Sequence, residues 1–271
     1  MILTTYWRVD SVARIASFEQ EPMQKSLFAA TKTEFRFRMV FITLIFCAAY
    51  ACYSFDPISS GARIARVLVR ADPALSFDAW LRTICGIAAA IVFVGALCRV
   101  WGTAYLRAAV MSDMKLHTER LVADGPFRHV RNPLYLGNIF MSFGLGFTCN
   151  RVGFFVLFLG MTFFVLRLLL REEAELRMAQ GESYLAYCAA VPRLWPALRA
   201  RVPPAGNTPN WLEGFFSEVI VWGSGVSVVV FAITLSVQAF YVTLWSTLAL
   251  QILSRLVQKT RERKVAATPQ G

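Results

Sequence analysis

The chain has 271 residues, of which 56% are hydrophobic, 14% aromatic and only 17% charged. A soluble domain of this length cannot bury so much apolar surface, so the composition excludes a soluble enzyme and indicates an integral membrane protein. The formal net charge of +11 fits contact with anionic lipid headgroups. It does not indicate nucleic-acid binding, because the sequence has no basic domain with interleaved aromatic residues.

Apolar segments alternate with polar segments along the chain, and most are near the length that crosses a bilayer as a helix. There are six of them, at residues 39–55, 83–98, 133–149, 152–166, 219–237 and 240–253. Without a break the last two would form one helix of about 35 residues, so residues 236–239 are predicted to be the turn of a helical hairpin. The predicted fold class is therefore all-α, a polytopic transmembrane helical bundle of about six spans.

Two segments outside the spans are predicted to lie on the membrane surface. Residues 1–38 are of mixed polarity and favour a surface-lying helix over a cleavable signal. Between the first two spans, Arg63, Arg66 and Arg70 are spaced by three and four residues opposite an apolar face. That spacing predicts an amphipathic helix at the membrane interface.

The distribution of basic residues predicts the orientation of the bundle. With the N-terminus in the cytoplasm, residues 1–38, 99–131, 167–201 and 255–264 lie on that side and hold 23 of the 28 Lys and Arg residues. The opposite side keeps only Arg63, Arg66, Arg70, Arg82 and Arg151. Because cytoplasmic loops of membrane proteins are enriched in basic residues, both termini are predicted to be cytoplasmic, with the protein in the cytoplasmic membrane.

The start of the third span is the first place where the sequence suggests a ligand. Gly125 and Pro126 end any preceding helix, and Pro133 fits the first turn of the span, where its missing N–H is not needed. Free backbone N–H groups at a helix start favour an anion, and Arg131 lies beside them in the sequence. This turn is therefore predicted to receive a carboxylate or a similar group.

The end of the fourth span is the second such place. Glu172 and Glu173 put two carboxylates on an otherwise basic surface, which suits a cationic ligand such as an ammonium or a sulfonium. The alternative is an exposed helix start whose acids pair with Arg171 or Arg177.

The sequence indicates no metal site. The six cysteines are scattered without ligand spacing and are predicted to be packing residues. The two histidines, His117 and His129, lie too far apart in the sequence to form a recognisable ligand pair. His117 is expected to be solvated, and His129 is expected to contact lipid phosphates.

Five motifs in the same region occur together in order. They are Gly125-Pro126-Phe127-Arg128, Val130-Arg131-Asn132-Pro133-Leu134-Tyr135-Leu136-Gly137, Glu172-Glu173, Gly181-Glu182-Ser183-Tyr184-Leu185-Ala186-Tyr187 and Val191-Pro192-Arg193. Each motif is weak alone, but the combination resembles the isoprenylcysteine carboxyl methyltransferases and the related phospholipid methyltransferases.

The resemblance implies that the protein binds S-adenosylmethionine at the cytoplasmic face and that a lipid or lipidated acceptor enters from the bilayer. An amphipathic helix after the fourth span is expected to complete the cofactor pocket. The family pattern implies cofactor contacts at Leu121, Val122, Phe127, Asn132, Pro133, Leu134, Tyr135 and Glu172. Two of these positions differ from the usual pattern, since the family usually has His where Asn132 stands and Tyr where Phe127 stands.

The chemistry of methyl transfer suggests a role for each residue type. Glu172, with its neighbour Glu173, is predicted to pair with the ammonium group of the cofactor, and Arg131 with its carboxylate. Tyr135 is predicted to pack against the adenine or to face the sulfonium, as a catalytic residue. No metal or covalent nucleophile is needed, because alignment and exclusion of water can provide the catalysis.

The resemblance also points to residues for the acceptor. An arginine that contacts substrate in the isoprenylcysteine enzymes falls at Leu168 in this chain. Arg167 and Arg171 flank that position and are candidate catalytic residues. The acceptor class stays open between an isoprenylcysteine-type carboxylate and a phospholipid-type amine.

The predicted function is thus methyl transfer from S-adenosylmethionine to a lipid-like or amphiphilic acceptor. Two alternatives stay open: an NADPH-dependent enzyme similar to membrane sterol and steroid reductases, and a non-enzymatic membrane scaffold. The predicted division of the chain is residues 1–80 for the N-terminal segment, first span and interfacial helix, 81–200 for the methyltransferase-like core, and 201–271 for a C-terminal hairpin and basic tail. The oligomeric state stays open.

Overall fold

The computed structural model describes residues 28–112 and 123–267, and within these ranges it contains helices and no strand. The nine α-helices of these ranges are α1 (Lys32–Arg36), α2 (Arg38–Ala51), α3 (Ser60–Ala71), α4 (Phe77–Ser112), α5 (Pro133–Gly146), α6 (Arg151–Ala190), α7 (Trp211–Ser217), α8 (Val219–Thr234) and α9 (Val237–Ala267). Two short 3₁₀ helices, Cys52–Ser54 and Gly125–Arg128, connect them.

Six of these helices, α2, α4, α5, α6, α8 and α9, run between two ends of the bundle. The proximal end is where α5 begins at Pro133, and the distal end is the α5–α6 turn at residues 147–150. Two backbone hydrogen bonds hold the start of α3 at the distal end. The Ser60 nitrogen donates to the Cys149 carbonyl at 2.7 Å, and the Gly61 nitrogen donates to the Phe147 carbonyl at 3.0 Å. The six helices alternate in direction, as expected for a membrane bundle with short connections.

Among the residues that the structure describes, three helical stretches are long and apolar enough to cross a membrane: Phe77–Leu106, Arg151–Ala190 and Val237–Val257. A fourth span results if α7 and α8, which meet at a bend of 65°, count as one. Helices α2 and α5 have 14 residues each, or about 21 Å of helix, which is shorter than the hydrocarbon core. The predicted all-α membrane bundle is confirmed, and the number of six spans stays a prediction.

Glycines let α4 and α5 approach closely, which positions the start of α5. A Cβ atom on Gly95 would lie 2.6 Å from the carbonyl oxygen of Gly137, and one on Gly144 would lie 2.7 Å from that of Ala88. Only glycine fits at such contacts, and small residues are the usual means of close helix packing in membranes. The α4–α5 pair is therefore a rigid support for the residues at the proximal end.

Two local predictions can be compared with the helix boundaries. The arginine-rich segment forms α3, whose N-terminus is capped by the Ser59 hydroxyl at 3.1 Å from the Ala62 nitrogen. The hairpin turn lies at Leu235 and Ser236, slightly before the predicted residues 236–239. Leu235 adopts a left-handed conformation (φ 53°), and Ser236 caps α9 through the Ala239 nitrogen at 3.2 Å, so the second helix begins earlier than its hydropathy suggests.

Candidate functional site

The start of α5 has the predicted form and an unexpected partner. Asn132 is the N-cap residue and Pro133 occupies the first turn, but the Asn132 side chain makes no capping hydrogen bond. Its amide instead donates to the Glu173 carboxylate at 3.1 Å and to the Arg193 carbonyl at 3.2 Å. The first of the two predicted ligand sites is thus tied directly to the second.

Glu173 is the centre of a buried cluster of charges. Its side chain is only 2% exposed, and it forms ion pairs with Arg193 (3.0 Å), Arg131 (3.4 Å) and Arg177 (3.9 Å). Helix α6 runs through this position, so the alternative of an exposed helix start is wrong, although Arg177 is among the partners. A carboxylate held by three guanidinium groups is already neutralised by protein and is not available to an ammonium ligand.

Glu172 has a different environment from its neighbour. Its carboxylate is half-buried and lies within hydrogen-bonding reach of the Tyr135 hydroxyl, with Arg38 near enough to interact electrostatically. Tyr135 packs against a small buried cluster that includes Phe164 and Leu168. The structure therefore brings together Tyr135 and Glu172, two of the residues expected to contact the cofactor.

Arg131 has unused hydrogen-bonding capacity. Its side chain is 9% exposed, and its Nε is buried without a hydrogen-bond acceptor among the residues that the structure describes. Its Nη1 meets Glu173 only in the 3.4 Å ion pair, without the geometry of a hydrogen bond. Unmet guanidinium donors in a buried site are costly and fit an anionic ligand group, such as a carboxylate.

The remaining predicted cofactor contacts are placed as follows. Phe127 lies in the 3₁₀ helix Gly125–Arg128, and its carbonyl accepts a hydrogen bond from the Tyr187 hydroxyl at 2.7 Å. Pro133 is buried and Leu134 packs against Gly102 of α4, so both hold α5 on its neighbour. Leu121 and Val122 lie outside the described residues.

Arg167 and Arg171 both contact the segment of residues 28–36, called here the N-terminal strap. Arg167 pairs with Glu34 at 2.8 Å, and Arg171 donates to the Ala30 carbonyl at 3.1 Å. A backbone bond of 2.9 Å from the Ala30 nitrogen to the Arg167 carbonyl reinforces this docking. The two arginines expected to face substrate thus hold a segment of the chain itself.

Charge also stabilises the strap from within. The Glu34 carboxylate accepts a bond from the Thr31 backbone nitrogen at 2.6 Å, in a capping box at the start of α1. That bond, together with the Arg167 guanidinium, holds the pKa of the Glu34 carboxyl below its usual value. The strap is therefore docked in its charged form at neutral pH.

The loops at the proximal end are held to each other by hydrogen bonds between backbone groups. The Arg131 nitrogen donates to the Pro192 carbonyl at 2.9 Å, and the Arg201 nitrogen to the Arg128 carbonyl at 2.8 Å. The His129 ring is bonded to the Ala197 carbonyl at 2.8 Å. One ring nitrogen of His129 thus holds a neighbouring loop, and the expected contact of His129 with lipid phosphates stays a prediction.

A second buried charge pair, which the sequence did not suggest, lies beside the start of α5. Arg99 of α4 forms a bidentate pair with Glu218 at the α7–α8 bend, with bonds of 2.9 and 3.0 Å. Thr103 donates to the same carboxylate at 2.8 Å, and Arg99 also donates to Asn138 of α5 at 2.8 Å. The sequence signal that could have indicated this pair is weak: Arg99 directly follows the apolar segment 83–98, and Glu218 directly precedes the apolar segment 219–237.

The fold and this charged helix end define the class: an all-α integral membrane protein with a polar site at one end of its bundle. Residues 82–183, from α4 to the last turns of α6, match the family model of phospholipid methyltransferases. Over this segment the chain is similar to that family of membrane methyltransferases, which confirms the resemblance predicted from the motifs. Comparison with curated proteins and with solved structures gives no match.

Proposed function

We propose that the protein transfers a methyl group from S-adenosylmethionine to a lipid-like acceptor, with the cofactor held at the proximal end between Arg131 and Glu172. The match of residues 82–183 to the phospholipid methyltransferase family supports the reaction class. The observation that carries the placement is the buried guanidinium of Arg131, whose Nε lacks an acceptor among the described residues while Nη1 lies in the ion pair with Glu173. The unmet Nε donor fits the carboxylate of the cofactor's methionine part.

The two glutamates of the pair have separate roles in this proposal. Glu172 pairs with the ammonium group of the cofactor, because it is half-buried and no arginine forms an ion pair with it in the described part of the chain. Glu173 instead keeps Arg131 and Asn132 in position. The predicted role of Glu173 as a direct cofactor contact is thus replaced by a supporting one.

The remaining residues orient the reactants and exclude water. When bound, S-adenosylmethionine supplies an electrophilic methyl group on a sulfonium sulfur. The Tyr135 ring, fixed by Phe164 and Leu168, provides an electron-rich face for a cationic group. The Tyr135 hydroxyl orients the Glu172 carboxylate. These contacts favour alignment of reactants, which is the main requirement of an in-line transfer.

The acceptor is proposed to reach this site from the bilayer, with the proximal end at the cytoplasmic face. The concentration of basic residues near that end supports the orientation. Arg167 and Arg171 lie on α6 near Glu172 and could contact an anionic part of the acceptor if the strap moves. The acceptor atom is a carboxylate oxygen or an amine nitrogen, and the chemistry of the methylated product distinguishes the two.

Ligand binding tests the cofactor assignment. Purified full-length protein in detergent should bind S-adenosylhomocysteine in a calorimetric titration. Glu172→Gln should weaken that binding at least tenfold, since a hydrogen bond to a charged group is worth about 1.5–3 kcal/mol. Glu175→Gln, an exposed position on the same helix, is the matched control and should bind normally. Binding of NADPH instead of S-adenosylhomocysteine would support a reductase, and binding of neither would support a scaffold.

Product chemistry tests the acceptor. Membranes that contain the protein should incorporate label from methyl-labelled S-adenosylmethionine into the lipid extract. Release of the label as methanol by mild base identifies a methyl ester, whereas label that survives base and travels with a headgroup identifies an N-methyl product. Absence of label in lipid, with cofactor binding intact, would contradict a lipid acceptor.

A further inference from the structure

The distal end of the bundle contains a cavity of about 470 Å³ that is separate from the candidate site. It lies beneath α3, between the end of α2, the start of α4 and the α8–α9 turn. Leu81 lines it, and Arg99 of the proximal network is 18 residues further along the same helix, or about 27 Å. That separation is close to the thickness of the hydrocarbon core, so the cavity and the candidate site belong to opposite faces of the membrane.

The cavity is built largely from parts of the chain outside the family match. Only Cys85, Phe147 and Thr148 among its lining residues fall within residues 82–183. The remainder come from the N-terminal helices, from the first turns of α4 and from the C-terminal hairpin. The cavity is therefore a feature that this chain adds to the matched methyltransferase segment.

The lining is apolar and aromatic, and its volume lies in the range of ligand pockets. Phe77 and Phe240 contribute rings to it. Tyr50 and Tyr53 also contribute rings, but both hydroxyls are hydrogen-bonded to Thr148. The Tyr50 hydroxyl lies 2.9 Å from the Thr148 Oγ1, and the Tyr53 hydroxyl donates to the Thr148 carbonyl at 2.5 Å. These tyrosines therefore present carbon surface to the cavity, which suits a hydrocarbon chain.

One cationic side chain, Arg66, also lines the cavity. Its neighbour Arg63 is neutralised by Asp56 at 2.5 Å, and that contact lowers the pKa of the Asp56 carboxyl. Arg66 is exposed and takes part in no ion pair in the described part of the chain. A guanidinium at the mouth of an apolar cavity is complementary to a phosphate that carries a hydrocarbon chain.

We propose that this cavity binds an anionic phospholipid from the leaflet opposite the candidate site. One acyl chain lies among Phe77, Leu81 and Phe240, and the phosphate contacts Arg66. Helix α3 lies along the interface and covers the chain. The bound lipid would hold the N-terminal and C-terminal additions together at the distal end.

Native mass spectrometry of the full-length protein tests the proposal. The probe is an equimolar mixture of phosphatidylglycerol and phosphatidylcholine with the same acyl chains. The wild-type protein should retain phosphatidylglycerol preferentially. Arg66→Gln should weaken that retention about fivefold, as expected for the loss of one cationic contact at a membrane surface. Arg70→Gln on the same helix is the control, because Arg70 does not line the cavity, and it should behave as wild type.

A second variant tests the position of the acyl chain. Ala62 lines the cavity, and Ala62→Phe should fill it and abolish retention of both lipids, with circular dichroism to confirm that the protein is folded. If Arg66→Gln and Arg70→Gln lose phosphatidylglycerol retention equally, the preference arises from general surface charge, and the proposal is overturned. Unchanged retention in Ala62→Phe would also overturn it, because the chain would then lie elsewhere.

Discussion

Three glutamates within four residues of α6 have three different environments, and this gives a sharp test of the candidate site. Glu173 is 2% exposed within a cluster of arginines, whereas Glu175 is 45% exposed and pairs with Arg171 at 2.6 Å. Glu172 lies between these extremes, beside Tyr135. Replacement of each carboxylate by an amide of the same shape removes one charge and little else.

The expected losses of stability follow from what each change leaves behind. Glu173→Gln leaves Arg131, which is 9% exposed, as an uncompensated buried charge. Breaking a buried pair costs about 3–5 kcal/mol, and we expect about 3 kcal/mol, because Arg177 and Arg193 are partly exposed and retain water. Glu175→Gln should cost only about 0.3–0.5 kcal/mol, as for other exposed pairs one helical turn apart.

Glu172→Gln should cost about 1 kcal/mol or less, because the amide oxygen can still accept the hydrogen bond from Tyr135. It should instead show its effect in the binding of S-adenosylhomocysteine. Glu173→Gln and Glu172→Gln are thus expected to separate stability from ligand binding at adjacent positions.

The free energy of unfolding can be measured in mixed micelles, with a rising fraction of sodium dodecyl sulfate and circular dichroism as the signal. If Glu173→Gln does not accumulate, the double variant with Arg131→Gln should recover part of the loss, because it removes the stranded charge. Equal stability of the Glu173 and Glu175 variants would refute the reasoning, since it would mean that water reaches Glu173.

Three further predictions concern other parts of the structure. Tyr135→Phe keeps the ring and should lower methyl transfer about tenfold through loss of the bond to the carboxylate, without loss of expression; normal transfer would show a packing role only. Glu34→Gln should undock the strap from Arg167 and speed proteolysis of the strap. Because the pKa of the Glu34 carboxyl is lowered, the wild-type strap should stay docked at neutral pH and should undock as the pH falls through that lowered pKa. Glu218→Gln should cost about 3–5 kcal/mol by stranding Arg99, and a loss below 1 kcal/mol in the same unfolding assay would contradict a buried pair.

Much of the fold follows from the sequence, because hydropathy and local steric rules act over short stretches. The amphipathic spacing of the arginines gives α3, and Pro133 marks the start of α5 as predicted. Hydropathy predicts the hairpin turn about two residues too late. Ser236 caps the start of α9, and a capping hydrogen bond does not depend on hydropathy.

The candidate site was predictable in its parts but not in its pairing. Sequence motifs led to Asn132, Tyr135 and the glutamate pair, since these residue types and their order resemble a known family. They could not show that Asn132 contacts Glu173, because that contact depends on how α5 packs against α6.

The sequence by itself thus determined that this is a helical membrane protein with a segment similar to phospholipid methyltransferases, because composition and motif order are properties of the chain. Only the tertiary structure decided which of the two carboxylates is enclosed by arginines. Consecutive residues on a helix point about 100° apart, so Glu172 and Glu173 face different neighbours. The pairing of Arg99 with Glu218 across more than a hundred residues likewise depends on the packing of distant helices. Helix packing fixes which charges meet, and no short-range pattern encodes it.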